Sequence, residues 1–162
     1  MSIWISRFFV VASALVISSC GWQLRGLQQY LEQGPQNIGQ IQLVTSADNR
    51  LFNATLKQQL KDLSIDIESD SDITLKLQQE KVERSPLSYS STGIPVQYQL
   101  IMSIRFGVTN PLRNVPRERT LSARREYDFD TSLVVAKNEE EIKLLQEMRE
   151  ELSSRIISYL GK

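Results

Sequence analysis

The most regular hydrophobic pattern in the chain runs from Val96 to Val108. Val96, Tyr98, Leu100, Met102, Ile104, Phe106 and Val108 take every second position, and Gln97, Gln99, Ile101, Ser103, Arg105 and Gly107 lie between them. That period predicts a long strand with one face on a core and the other largely polar. Weaker alternation predicts three more strands: one begins at Ile41 and Leu43, one carries Ile73, Leu75 and Leu77, and one runs from about Thr120 to Asp130. In the last, Leu121, Ala123, Tyr127 and Phe129 share a parity with Arg125, so Arg125 must snorkel or a bulge must shift the register. The turn-rich "TNPLRNVP" separates the two longest strands.

Two stretches follow the helical period instead. Phe52, Leu56, Leu60 and Leu63 mark one face after an N-cap at Asp48 or Asn49. Leu145, Met148, Leu152, Ile156 and Leu160 mark another, with Asn138 and Glu141 spaced as a capping box and Gly161 at the end. Glu139 with Lys143, and Glu151 with Arg155, are i,i+4 pairs. The order is β-α-β-β-β-α. It predicts an α+β fold, a two-layer sandwich in which two helices pack on one face of a four-stranded mixed sheet. The helix after the first strand permits a parallel crossover, and the later strands suggest an antiparallel meander.

Upstream of these elements the pattern changes character. A short basic start precedes the apolar run "FFVVASALVI", residues 8–17, and then come Ser18, Ser19 and Cys20. A basic end, a short apolar middle and small residues make a secretory signal. The run is about half the roughly 20 residues that a membrane span needs. Ile17-Ser18-Ser19-Cys20 resembles a bacterial lipobox, although Leu is usual at Ile17 and Gly or Ala at Ser19. The resemblance implies cleavage before Cys20 and acylation of that residue, palmitate included. Gly21 in place of an inner-membrane retention Asp implies the outer membrane, periplasmic side. The expected organisation is a signal peptide over residues 1–19, a lipidated tether over 20–37 and an α/β sandwich domain over 38–162. Trp22 and Leu24 in the tether have two readings, packing on the domain edge or seating at a lipid interface.

Composition narrows the chemistry. The chain has no His and one Cys, which removes imidazole triads, zinc clusters and internal disulfides. Nineteen basic and nineteen acidic residues cancel, so no net field points to nucleic acid. Asp66, Glu68, Asp70 and Asp72 alternate as in a calcium loop, but Ser71 and Leu77 stand where that loop needs Gly and Glu. They read as a solvated turn. No cofactor or metal is expected. Residues 85–95, "SPLSYSSTGIP", read as a connection longer than a tight hairpin needs. It is either a plain exposed loop or a segment ordered by a partner, with Tyr89 as an interface anchor. Six arginines crowd residues 105–125 against the single acid Glu118. They read either as charges that keep a hairpin soluble or as an anion site carried by Arg105, Arg119 and Arg124.

"CGWQLRG", "VQYQLIMSIRFGV" and "REYDFDTSLVVAKNEEE", in this order and behind a lipobox, resemble the lipopolysaccharide-assembly lipoprotein family, LptE. The resemblance covers nearly all of the chain from Cys20 on. It implies a protein that is not an enzyme. It implies a domain that plugs the lumen of a large outer-membrane β-barrel, LptD, as a 1:1 partner, helps that barrel to fold and assists lipopolysaccharide delivery to the cell surface. Family members contact lipopolysaccharide through basic residues near the loop after the second strand and before the last helix. The position before that helix is Lys137. Residues 85–95 hold no Lys or Arg, which moves the expected head-group contacts to Lys137 and the strand arginines. A polar lumen suits the polar parity of the long strand, so Gln97 and Gln99 are expected at the barrel interface. The alternatives are an independent periplasm-facing lipid-binding lipoprotein, which needs a large apolar cavity, and a carboxylate hydrolase, which needs acids gathered in a cleft.

Overall fold

The computed structural model describes residues 38–111 and 113–160, and the backbone alone over 113–117. The signal peptide, Cys20 and the tether lie outside the described residues. The elements are β1 (Gln40–Val44), α1 (Arg50–Asp62), β2 (Asp66–Ile67), β3 (Thr74–Leu77), β4 (Lys81–Tyr89), β5 (Pro95–Asn110), β6 (Arg113–Asp128) and α2 (Val134–Leu160). Short 3-10 turns precede both helices.

The fold is α+β, with two helices on one face of a mixed sheet. That sheet has six strands, where the alternation predicts four. β1 pairs in parallel with both β2 and β3, which is the crossover that α1 permits. β5 is the spine. One of its edges pairs along its length with β6. Its other edge is shared: β3 pairs with the end near Phe106, and β4 pairs with the end near Leu100. β3 and β4 therefore lie along one edge as an interrupted strand. The interval from Leu77 to Lys81 is one residue longer than the interval from Phe106 to Ser103 opposite it, which is a bulge.

Two strands escape the alternation for physical reasons. β2 is two exposed residues held only by its register with Gln40 and Ile41. β4 is an edge strand with almost no buried side chain, so no apolar period marks it. It absorbs half of the predicted 85–95 connection. What remains is a turn at Ser90–Ile94, closed by Ser90 N–H to Ile94 O and Gly93 N–H to Ser90 O, with Gly93 at φ 78°.

The helix ends also differ from expectation. α1 buries Phe52, Leu56 and Leu60. It stops before Leu63 because Ser64 turns left-handed at φ 57°: Ile65 N–H bonds Leu60 O and Ser64 N–H bonds Lys61 O. Those two bonds close a Schellman end, and Leu63 swings out to solvent. α2 begins at Val134, so Asn138 is interior and no capping box forms. Asp130 caps the preceding turn instead, accepting from Ser132 N–H and Oγ at 2.8 and 2.6 Å. Glu151–Arg155 forms as expected at 3.3 Å, while Lys143 turns to Glu147.

One continuous core lies between the helices and the sheet. Ile41, Leu75, Leu100, Met102 and Ile104 meet Phe52, Leu56, Met148, Leu152 and Ile156 there. Among the described residues, no helix packs on the sheet's other face. Arg125 keeps the core-facing parity, and no bulge interrupts its pairing with Leu100. It snorkels out to Glu151 at 2.8 Å.

Candidate functional site

Register fixes what the uncovered face of the sheet presents. Gln97, Gln99, Ile101, Ser103 and Arg105 point that way from β5, opposite Asp128, Glu126, Arg124, Ser122 and Thr120 of β6. Ser85, Glu83 and Lys81 of β4 complete the rows. Gln97 Nε2 donates to Asp128 and Gln99 Nε2 to Glu126, both at 3.3 Å, and Lys81 pairs with Glu83 at 2.7 Å. These rows are therefore rich in amides, hydroxyls and charges of both signs, and are broken by one apolar residue, Ile101. Such a face hydrogen-bonds a polar wall and has nowhere to put a lipid tail.

The four cations expected to bind anions do not gather in one place. Arg105 and Arg124 share the uncovered face, opposite Thr120 and Ile101 respectively. Their backbones stand about 14 Å apart, four residues along at about 3.3 Å each and one strand across at about 4.8 Å. Arg119 lies opposite Phe106, so it sits on the helix-covered face, its guanidinium 5.0 Å from the Tyr159 ring centroid. Lys137 is on the first turn of α2 and pairs with Glu140 at 2.8 Å. Tyr89 is exposed beside the turn that joins β4 to β5. The acids Asp66, Glu68, Asp70 and Asp72 are exposed on and after β2. No group of three or more metal-binding side chains occurs among the described residues.

Two constellations were not legible in the sequence. The first joins the far end of the sheet to α2. The Arg84 guanidinium lies 3.8 Å above the Tyr98 ring centroid, with the rings of Tyr127 and Phe129 at 5.9 and 5.6 Å. Arg84 also reaches Glu141 at 3.4 Å, and the Tyr127 hydroxyl donates a short hydrogen bond to the same carboxylate. The signal for it is the aromatic parity of residues 98, 127 and 129, once Arg84 is known to lie on a strand. The second closes the bulge between β3 and β4. Asn49 donates from Nδ2 to Gln78 O at 2.7 Å and accepts from Glu80 N–H at 2.8 Å. The Glu80 carboxylate takes a forked contact from Arg149 of α2, with Nη2 at 2.8 Å and Nε at 3.1 and 3.2 Å.

Burial first, and then the bond to Glu141, pushes the Tyr127 phenol well above its ordinary value; Arg84 opposes the shift. The unfolded chain therefore loses this proton first as pH rises past about 10. The stability that Tyr127 supplies is complete below that pH and is lost as pH climbs towards the raised folded value. Tyr127→Phe is expected to cost about 1–2 kcal/mol at pH 8 for the lost hydrogen bond. It is also expected to flatten the fall in stability between pH 9.5 and 11. Urea unfolding of both forms across that range checks this, and parallel curves would refute it.

Comparison with known proteins places the chain among lipoproteins. The family model LptE, described as lipopolysaccharide-assembly, matches residues 38–160. The rare lipoprotein B from Shewanella oneidensis superposes with a TM-score of 0.69 at 27% identity, covering 75% of this chain and 93% of that one. The minor lipoprotein from Acinetobacter baumannii (TM-score 0.62, 20% identity, 76% and 90% covered) shares the fold. So does lipoprotein B from Nitrosomonas europaea (0.63, 14%, 76% and 83%). No curated protein sequence gives a significant match.

Proposed function

The chain belongs to the LptE lipopolysaccharide-assembly family, and on that premise we propose that it is a non-enzymatic outer-membrane lipoprotein, anchored through acylated Cys20 on the periplasmic side. Its domain occupies the lumen of an LptD-type β-barrel, one copy to each barrel, and assists both the folding of that barrel and the delivery of lipopolysaccharide. The observation that carries this reading is the long uncovered face of β4, β5 and β6. A sheet face on which no other described element packs, lined by Gln97, Gln99, Ser103 and Ser122, matches the polar interior of an outer-membrane barrel. At least two acyl chains are needed for a stable hold on a membrane, which fits full acylation of Cys20.

Lipopolysaccharide contact is accessory and runs through the phosphorylated head. Arg105 and Arg124 share one face at a spacing that suits two anionic groups on one head group better than a single phosphate. Lys137 and Arg119 stand elsewhere and supply separate contacts. Two experiments test the proposal. Extraction of outer membranes in mild detergent, followed by pull-down of this protein, is expected to recover a barrel of equal stoichiometry; recovery without a barrel would sink the plug role. Arg105→Gln with Arg124→Gln is expected to weaken lipopolysaccharide binding several-fold at low salt, and half-molar salt to weaken the wild type similarly. Binding indifferent to both would rule out the head-group contact.

A further inference from the structure

The sheet has a step in it. β3 and β4 share one edge of β5, and β1 covers the outer side of β3 as far as the pair Val44–Lys76. Among the described strands, none lies on the outer side of β4. A strand placed there would run in line with β1 and fill the row.

Register shows what that open edge offers. Gln78 N–H bonds Arg105 O, and Phe129 N–H bonds Val96 O, both at 2.8 Å. The odd residues of β5 therefore bond the β3–β4 side, and the even residues bond the β6 side. Opposite Ser103, Ile101 and Gln99, the backbones of Lys81, Glu83 and Ser85 turn inward. Those of Val82 and Arg84 turn outward, each with an N–H and a C=O that no described residue bonds. Pro86 is outward too, where a missing N–H costs no ladder bond. The same parity turns Ser122 and Arg124 outward on β6, but that edge is closed. Arg155 Nη1 donates to Ser122 O and Arg125 Nη1 to Arg124 O, both at 2.9 Å. A free charge, the usual guard of an edge, is also missing from β4. Lys81 and Glu83 pair with each other at 2.7 Å, and Arg84 turns back over Tyr98 to Glu141.

We propose that the Val82–Arg84 edge accepts an extended segment of the barrel partner as a further strand of this sheet. The proposal rests on the plug reading and names how one part of the barrel is held. Lys81, Glu83 and Ser85 belong to the rows laid against the barrel, so the edge continues that contact. The strands of a closed barrel wall already have their backbone groups paired, so the segment is a loop that folds into the lumen. Its backbone meets the outward donors and acceptors of Val82 and Arg84. Its side chains alternate, polar beside Lys81 and Glu83 and apolar beside Val82, which is 41% exposed.

The test uses the full chain co-expressed with its barrel and purified as the complex. The chain from residue 20 with Cys20→Ser is the barrel-free reference. Amide exchange is read residue by residue. Val82 and Arg84 are expected to exchange fast in the reference and about ten-fold or more slower in the complex, while Glu83 and Ser85 are slow in both. Val82→Pro removes an outward N–H and leaves the β4–β5 ladder intact, whereas Val82→Thr keeps both the N–H and the shape. Val82→Pro is expected to lower barrel recovery several-fold, and Val82→Thr to match the wild type. Thermal melting shows whether Val82→Pro is folded; if it melts early, exchange in the unaltered chain decides. Unchanged exchange at Val82 and Arg84 in a complex that does form overturns this proposal and leaves the plug reading standing. So does equal recovery of the barrel by a folded Val82→Pro. Protection already present without the barrel, and rising with protein concentration, would assign the edge to a second copy and overturn it as well. A wild type that recovers no barrel overturns the plug reading, and this inference with it.

Discussion

Arg149→Ala is expected to destabilise the domain by about 3–5 kcal/mol, because it strands the Glu80 carboxylate without its partner. Both side chains are nearly out of water, at 11% and 12% exposure, and the contact is forked. A midpoint drop of roughly 10–20 °C follows for a domain of this size. The mechanism makes a sharper demand than the size of the loss. Replacing both partners, Arg149→Met with Glu80→Leu, removes the stranded charge, so the double variant should recover most of the single variant's loss. Were the two equally unstable, the damage would come from lost packing by the arginine stem rather than from an unpaired acid. An internal control lies nearby. Lys81 and Glu83 also touch, at 2.7 Å, but they are 72% and 57% exposed, and water serves both equally well apart. Lys81→Ala is expected to leave the midpoint where it is.

The contrast between these pairs also explains what the sequence concealed. β5 was legible because its alternate residues meet two helices, and burial writes itself into the chain with period two. Arg125 was legible as an exception, and its reach to Glu151 is the snorkel that the parity demands. β4 carries no such signal, because it has solvent beyond its outer edge and little but Val82 and Arg84 to offer the covered face. Length, serines, Gly93 and two prolines made residues 85–95 read as a loop. The start of α2 was misplaced because Asn138 and Glu141 have capping-box spacing; Glu141 serves Tyr127 and Arg84 instead, neither of which local sequence can nominate. Glu80 and Arg149 are 69 residues apart, so nothing short of the fold pairs them. The uncovered polar face was foreseen from parity. That Arg119 stands on the other side from Arg105 and Arg124 follows from the same parity once the register is known.

Asn49 is the residue on which that presented face depends most. It is 2% exposed and satisfies both sides of the bulge between β3 and β4. Asn49→Ala leaves the Gln78 carbonyl and the Glu80 amide unpaired in a buried place, at a cost of about 2–4 kcal/mol. Asn49→Asp keeps an acceptor for Glu80 N–H but turns a carboxylate towards Gln78 O, so it should not rescue. Because Asn49 holds the backbone of Glu80 and Arg149 its carboxylate, the two substitutions should not add; a coupling of about 0.5–3 kcal/mol is expected in the double-mutant cycle. The location of the damage distinguishes this clamp from a generic core defect. β1 and β3 stay packed under α1, whereas β4, among the described strands, has only β5 beside it. Amide exchange in residues 81–85 of Asn49→Ala should therefore speed up by about 10–100-fold relative to β1 and β3. Uniform acceleration would mean that the bulge is incidental. Selective loss would mean that one buried amide keeps the outer strand of the polar face in register.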